Sequence, residues 1–476
     1  MEQPVAGFAA MAHAAEPKVN YAKNSMPAAT LARHTGRAAL SGAGLSRIVR
    51  VTAEKASADA KEIPNKKAAG RERKGYAQGP AMNDRRLNPI SDAELNRRWA
   101  AIRAGMKDRG LDALVMQNNN DWLGGYVKWF TDYPAYNGYP RTVIFHADDA
   151  MTVVDMGPTG SRRNLDGQHK IQRGVGDLIG TPAFTSIAYT DGYQGELALS
   201  ELKRRGYKRI GLLGAGTMPY RFVTQIEAGL AGKTQIDDAT EWVDAIKAIK
   251  SDEEMALVRR CAEMQDEIFA RVSSKIKPGM RDNDITALAQ YEGRLLGSEQ
   301  GLFLGSSAPL GEASNFVDRY MQGRTLQEGD HFSLLIENAG PGGMYTEIAR
   351  TMVLGKASNE VIDGFETVKE AQTYTLSKMK PGVPCRDVAA AHDEFMITRG
   401  YGAEKRLYAH GQGYDLVERP LIRADETMSI EAGMNFAVHP GFETPSLFAV
   451  ICDNYLMGKD GPDECLHKTP KKVFEL

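Results

Sequence analysis

Lys277-Pro278-Gly279-Met280, with Asp284-Ile285 and Ala287 behind it, recurs as Lys380-Pro381-Gly382-Val383, with Asp387-Val388 and Ala390 in the same places. Gly329-Asp330-His331-Phe332 recurs as Gly433-Met434-Asn435-Phe436, and a strand-like segment ending at Gly355 recurs as one ending at Gly458. All these offsets are 103 or 104 residues. Agreement of independent matches within one residue predicts two copies of one structural unit. Each copy reads as a long helix, a Pro-Gly stop, a second helix and then paired strands. Two copies do not make a solenoid. They predict an α+β domain over residues 244–476 with a pseudo-twofold, its halves facing each other across a cleft.

Upstream, residues 87–243 alternate strands and helices and are expected to form an α/β domain. Ser91-Asp92-Ala93-Glu94 has the arrangement of a capping box. Leu95, Trp99, Ile102 and Met106 then recur at helical spacing until Arg109-Gly110 ends the run. Strands are expected at 111–116, 141–145, 151–155 and 209–213, and a helix around 196–205. Trp122 to Phe130, with Tyr133, Tyr136 and Tyr139 behind, is dense in aromatics and glycine. It suits a dimer interface or a wall of a binding cleft, with the interface slightly favoured.

The chain has 476 residues, 59 Lys plus Arg, 61 Asp plus Glu and a formal charge of -2, which argues against a dedicated nucleic-acid binder. Residues 1–86 hold 15 basic and 7 acidic side chains, so a +8 leader precedes a body at -10. That leader lacks hydrophobic periodicity and is expected to be mostly disordered: an inert extension, a start misassigned ahead of Met82, or a targeting segment. No run of about 18 apolar residues occurs, so a membrane span is excluded from the reading. Cys261, Cys385, Cys452 and Cys465 form no CxxC pair, which suits a reducing, cytoplasmic compartment.

The motifs of the second half converge on one family. Ala245-Ile246-Lys247-Ala248-Ile249-Lys250-Ser251 precedes a charged helix with Glu254 and Arg259. Glu328-Gly329-Asp330 precedes a strand, then come Tyr345-Thr346-Glu347-Ile348-Ala349-Arg350-Thr351, His410-Gly411-Gln412-Gly413, Glu418-Arg419-Pro420 and Gly433-Met434. With these the chain resembles the creatinase/aminopeptidase P/methionine aminopeptidase superfamily, the M24-like pita-bread fold. The likeness in motif detail covers about 230 residues. It is a divergent likeness, pointing to a non-peptidase member similar to creatinase or to the dimethylsulfoniopropionate lyases.

The resemblance implies a site for two metal ions held by two Asp, one His and two Glu. Here only the His slot, His410, keeps its residue type. The first Asp slot falls near Leu335 to Glu337, with Glu337 as the only carboxylate, and the second is Glu347. The first Glu slot is His439, and the last is Cys452 with Asp453 beside it. One divalent ion (Fe, Zn or Mn) on Glu337, Glu347, His410, His439 and Asp453 or Cys452 is one expectation. A metal-free site, as in creatinase, is the other, and Cys452 then behaves as a small core residue.

The family's substrate-handling His is missing near Asn315-Phe316-Val317, and Val417 replaces the second His of its His-Glu pair, which argues against proline-directed peptidase work. His410, Asp415, Glu418 and His439 are the residues expected to act in catalysis. Asp415 matches, one residue short, the base of the lyases, and Phe316 matches their replacement of the lost His. Substrate contacts are expected from Phe316, Arg319, Tyr345 and Arg350, the arginines pairing with a substrate carboxylate. The expected protein is a homodimeric hydrolase of a carbon–nitrogen bond in a small carboxylate-bearing molecule, with no nucleic-acid or membrane partner. A lyase removing a proton next to a carboxylate is the alternative, and a non-catalytic binding module the third.

Overall fold

The computed structural model describes residues 86–476 other than Asp121 and Gly124, all within one compact unit spanning Gln78–Leu476. The leader expected over 1–86 therefore lies, but for Arg86, outside the described residues.

Helix α1 (Asp92–Arg109) starts where the sequence indicates: the Ser91 side chain accepts from the Glu94 amide, and Gly110 ends it in the left-handed region at φ 62°. The capping box itself is not made there. The Glu94 carboxylate turns instead to Arg97 and Arg98, and Glu253 takes the Ser91 amide. Around α1 the chain forms β1 (Ala113–Asn118), α2 (Tyr126–Thr131), β2 (Arg141–His146), β3 (Met151–Asp155), β4 (Arg162–Asn164) and β5 (Val175–Gly180). Next come α3 (Tyr193–Arg205), β6 (Arg209–Leu212), α4 (Tyr220–Leu230), β7 (Gln235–Asp238) and α5 (Thr240–Ala248). The seven strands make one mixed sheet in the order β4-β5-β3-β2-β1-β6-β7. The aromatic stretch expected to serve an interface or a cleft wall divides between core and surface, with Leu123, Tyr136 and Tyr139 exposed. Val127, Trp129 and Phe130 are buried, and the Trp129 indole donates to Glu254.

The repeat is physically real. The first copy is α6 (Asp252–Ser273), α7 (Asp282–Leu295), β8 (Gln300–Pro309), β9 (Asp330–Ala339) and β10 (Tyr345–Val353). The second runs α8 (Asn359–Lys378), α9 (Cys385–Thr398), β11 (Ala409–Gly411), β12 (Glu418–Leu421), β13 (Asn435–Val438), β14 (Gly441–Thr444), β15 (Leu447–Val450), β16 (Asp453–Met457) and β17 (Pro462–Cys465). The last strand, β18 (Phe474–Glu475), returns to pair with β10 of the first copy. Gly279 and Gly382 both sit at φ +89°, and their amides donate to Leu326 and Ile430, the equivalent carbonyls of the two copies. A side chain is strained in that region, which is why both Pro-Gly stops keep glycine.

Period-two alternation then builds the cleft. On β9 and β10, Leu334, Ile336, Ile348 and Met352 pack with Ile268, Phe269 and Ile285 of α6 and α7. The intervening Leu335 and Ala349 face the other way and join Ala437 and Cys452 of the second copy. An antiparallel bridge between Ala349 and Cys452 ties the two halves together. Glu337 and Glu347 belong to this inward set.

Candidate active site

Glu337 and Glu347 are direct partners across the β9–β10 pair, so their side chains leave the same face side by side. His410 on β11 pairs with Ala437 of β13, and His439 follows β13 immediately. Strand registers within each copy, and the bridge between copies, therefore bring four chemically active side chains to one place.

The Glu347 carboxylate lies 3.7 Å from His410 Nε2 and 3.9 Å from His439 Nε2. The two imidazoles stand edge to face, 5.2 Å between centroids. One ligand-type atom from each of Glu347, His410 and His439 falls within 4.8 Å of the others. His410 Nδ1 donates to the Gly411 carbonyl, so the neutral ring carries its lone pair on Nε2, facing Glu347. Burial pushes the His439 imidazole down to about 4, against the pull of Glu347, so it is neutral near pH 7. Its Nε2 is buried and has no hydrogen-bond partner among the described residues.

Two carboxyls this close cannot both be charged without cost. Burial, and then the charge of Glu347, raise Glu337 well above the ordinary carboxylate range. Burial opposes charge on Glu347 too. The neighbouring imidazoles of His439 and His410, and hydrogen bonds from the Cys452 thiol and Glu337, work against it and hold Glu347 below the ordinary carboxylate range. Cys452 donates its S–H to Glu347 over 3.0 Å, and burial with this carboxylate pushes the thiol up, so it is no thiolate. The sequence placed Cys452 at a ligand slot. The structure makes it a hydrogen-bond donor.

Behind the cluster lies an amide group that sequence reasoning missed. Gln412 Nε2 donates to Glu337 at 2.8 Å, and Asn454 donates to Gln412 Oε1 and accepts from the Glu347 amide. Asn454 also donates to Asn435. The only sequence signal was the position of Gln412 inside His410-Gly411-Gln412-Gly413.

Several expected site residues have other work. Arg350 is fully buried and donates to the carbonyls of Ala349, Cys452, Thr469 and Pro470 and to the Asp453 carboxylate. It has no donor left for a substrate, and Asp453, paired to it at 2.6 Å and near Lys471 and His467, is no ligand. Glu418 accepts from Lys250 at 2.7 Å and from the amides of Tyr414 and Asp415. Burial opposes its charge, but Lys247 and Lys250 hold it down at about 2, too weak a base for catalysis near neutrality. Asp415 accepts from the Gly125 amide and from Lys247 at 3.3 Å, and burial raises it to about 6. Both carboxylates therefore belong to a buried lysine cluster beside a cavity of about 130 Å³ lined by Tyr126, Asp244 and Val417. Their hydrogen-bond and ion-pair partners do not include His410 or His439. The lysines stand in the Ala245 to Ser251 motif, where their pairing with the far loop was not legible.

Phe316, expected to contact substrate, is half-buried, packs on the Leu335–Ala349–Ala437–Cys452 wall and meets Phe448 edge-on at 5.1 Å. Tyr345 is buried, its hydroxyl accepting from Gln300. Arg319 is exposed in a short 3-10 turn over Arg319–Met321.

A duplicated helix–helix–hairpin unit closing on inward carboxylates and imidazoles defines a pita-bread protein behind an N-terminal α/β layer. Residues 256–459 match the family model described as metallopeptidase family M24. A Bacillus subtilis protein called an uncharacterized peptidase is 23% identical over 376 residues, covering 77% of this chain and 96% of its own. A Pyrococcus horikoshii Xaa-Pro dipeptidase is 24% identical, covering 56% of this chain and 76% of its own. Among solved structures, the X-Pro aminopeptidase of Thermotoga maritima superposes with a TM-score of 0.65 at 17% identity, over 79% of this chain and 99% of its own. The N-terminal domain of FACT complex subunit SPT16 from chickpea shares the same fold, with a TM-score of 0.59 at 14% identity over 81% of this chain and 100% of its own. The fold is therefore shared by proteins of different names, and the site has to decide the chemistry.

Proposed function

We propose that the chain is a non-peptidase hydrolase cleaving a carbon–nitrogen bond in a small carboxylate-bearing molecule. The match of residues 256–459 to the M24 metallopeptidase model, and the peptidase names of the relatives, support a hydrolase. The observation that carries the finer reading is the side-by-side placement of the Glu337 and Glu347 carboxyls beside two imidazoles. A divalent ion on Glu347, His410 and His439 would supply Lewis-acid activation of water, and the orphaned His439 Nε2 fits such a partner. Glu347 would orient that water as a ligand of the ion, while Glu337, held by Gln412, carries the proton that the leaving nitrogen requires. Proton transfer of this kind contributes on the order of 10²–10⁴-fold. The wall of Leu335, Ala349, Ala437 and Phe316 favours the apolar part of a small substrate, and Arg319 remains the proposed partner of its carboxylate.

Against peptide substrates stand Val417, in place of the family's second His, and the lack of His over 315–317. The same reading keeps the protein a cytoplasmic homodimer, without nucleic-acid or membrane partners. No helix among the described residues is long and apolar enough to cross a membrane.

The deciding assay offers Xaa-Pro dipeptides and a panel of small N-acyl, ureido and amidino carboxylates in water enriched in oxygen-18. The expected result is turnover within the panel with the label in the product, and no cleavage of the dipeptides. Xaa-Pro dipeptides as the preferred substrates would refute the non-peptidase reading. Unlabelled product would move it to a lyase.

A further inference from the structure

The family's metal pair needs carboxylates where this chain has other groups, and the replacements are specific. His439 Nε2 is buried without a hydrogen-bond partner among the described residues, although a buried imidazole nitrogen normally finds one. His410 has its Nδ1 tied to a backbone carbonyl, the outer contact that aims Nε2 at an ion. The separations of 3.7 and 3.9 Å from Glu347 are too long for hydrogen bonds. They lie close to the spacing of about 3.3 Å between two ligands on one tetrahedral ion. Three donors thus converge without satisfying one another.

The neighbouring position is arranged in the opposite sense. Glu337 accepts an amide N–H from Gln412 at 2.8 Å and lies directly across the strand pair from Glu347. Asn454 fixes Gln412 from behind, Cys452 presents an S–H rather than a lone pair, and Asp453 is consumed by Arg350. Hydrogen-bond donors directed at a carboxyl occupy the electrostatic role that a cation would play.

We infer that the chain holds a single divalent ion through Glu347, His410 and His439, and that a carboxyl–amide group of Glu337, Gln412 and Asn454 replaces the second ion of the family. Two imidazoles and one carboxylate suit Zn²⁺ or Fe²⁺ better than the oxygen-preferring ions. The inference concerns the site of the proposed hydrolase but does not depend on its reaction, because metal loading is read without any substrate.

The experiment strips the full chain with a chelator, reloads it with Zn²⁺ or Fe²⁺ and measures metal per chain by elemental analysis. One equivalent is expected for the parent, and one for Glu337→Gln and Cys452→Ala. His439→Gln and His410→Gln should lose tenfold or more in affinity by chelator competition, with thermal melting confirming that each is folded. The cobalt-substituted parent should show no thiolate-to-metal charge-transfer band. Two equivalents, none, undiminished affinity in the folded His439→Gln protein, or a thiolate band would each overturn the inference. Should both histidine variants unfold, the stoichiometry and cobalt spectrum of the parent decide alone. One equivalent without hydrolysis of any panel member would leave this inference standing and count only against the proposed reaction.

Discussion

Glu337 and Glu347 are direct partners across the β9–β10 pair, and burial, then the charge of Glu347, raises Glu337 well above the ordinary carboxylate range. Two like groups buried on one sheet face cannot both be charged without cost, so Glu337 is the carboxyl expected to carry a proton. Glu337→Gln keeps a neutral, hydrogen-bonding group and should change stability by no more than about 1 kcal/mol. It removes the transferable proton, so kcat should fall by about 10²–10⁴-fold. Parallel melting curves and kinetics check this, and an unchanged kcat would take Glu337 out of proton transfer.

Glu418 and Asp415 should respond to pH with opposite signs. Glu418 titrates at about 2 in the folded chain, below the 4.5 of the free side chain. Its contribution is present above pH 4.5 and is lost as pH falls through 2. Glu418→Gln should cost about 3 kcal/mol at pH 7, by stranding Lys250, with the gap to the parent closing in acid. Asp415 titrates at about 6, above its ordinary 3.8. Its contribution is fully present below 3.8 and is lost as pH rises through 6, so Asp415→Asn should gain on the parent between those values. Urea titrations at several pH values give both signs.

Arg350 is expected to be a structural residue. Arg350→Met leaves the Asp453 carboxylate buried beside stranded carbonyls and should cost about 3–5 kcal/mol by chemical denaturation. Arg350→Lys keeps the charge but not the fork of donors, and should lose stability while leaving KM for a carboxylate substrate unchanged. A raised KM at an unchanged melting temperature would return Arg350 to the substrate.

The loop ahead of α2 is docked onto the segment after β11. A Cβ at Gly125 would stand 2.8 Å from the Tyr414 Cβ and 3.0 Å from the Asp415 carboxylate, and the Leu416 amide donates to the Trp122 carbonyl at 2.9 Å. Gly125→Ala should therefore cost about 1–3 kcal/mol through forced displacement. Hydrogen exchange should quicken at the Leu416 amide, and an amide still as protected as in the parent would show that the two loops are not coupled.

The duplicated half was legible because a repeat writes itself into sequence. The Pro-Gly stops need left-handed glycine in both copies, and Gly279 and Gly382 share one φ. The period-two placing of Glu337 and Glu347, and the retained His410, were legible for the same local reason. What the sequence could not determine was which charged groups satisfy one another. Arg350 and Asp453 are 103 residues apart, and Lys250 and Glu418 are 168 apart, yet each pair is in direct contact. Without those partners, a buried structural ion pair and a catalytic carboxylate look alike in sequence. Only the tertiary structure tied Arg350, Asp453 and Glu418 into buried pairs, set Asp415 with the lysines and left His439 Nε2 without a hydrogen-bond partner among the described residues. The physical reason is that the local chain dictates conformation and facing, whereas proton position and charge depend on what burial brings together.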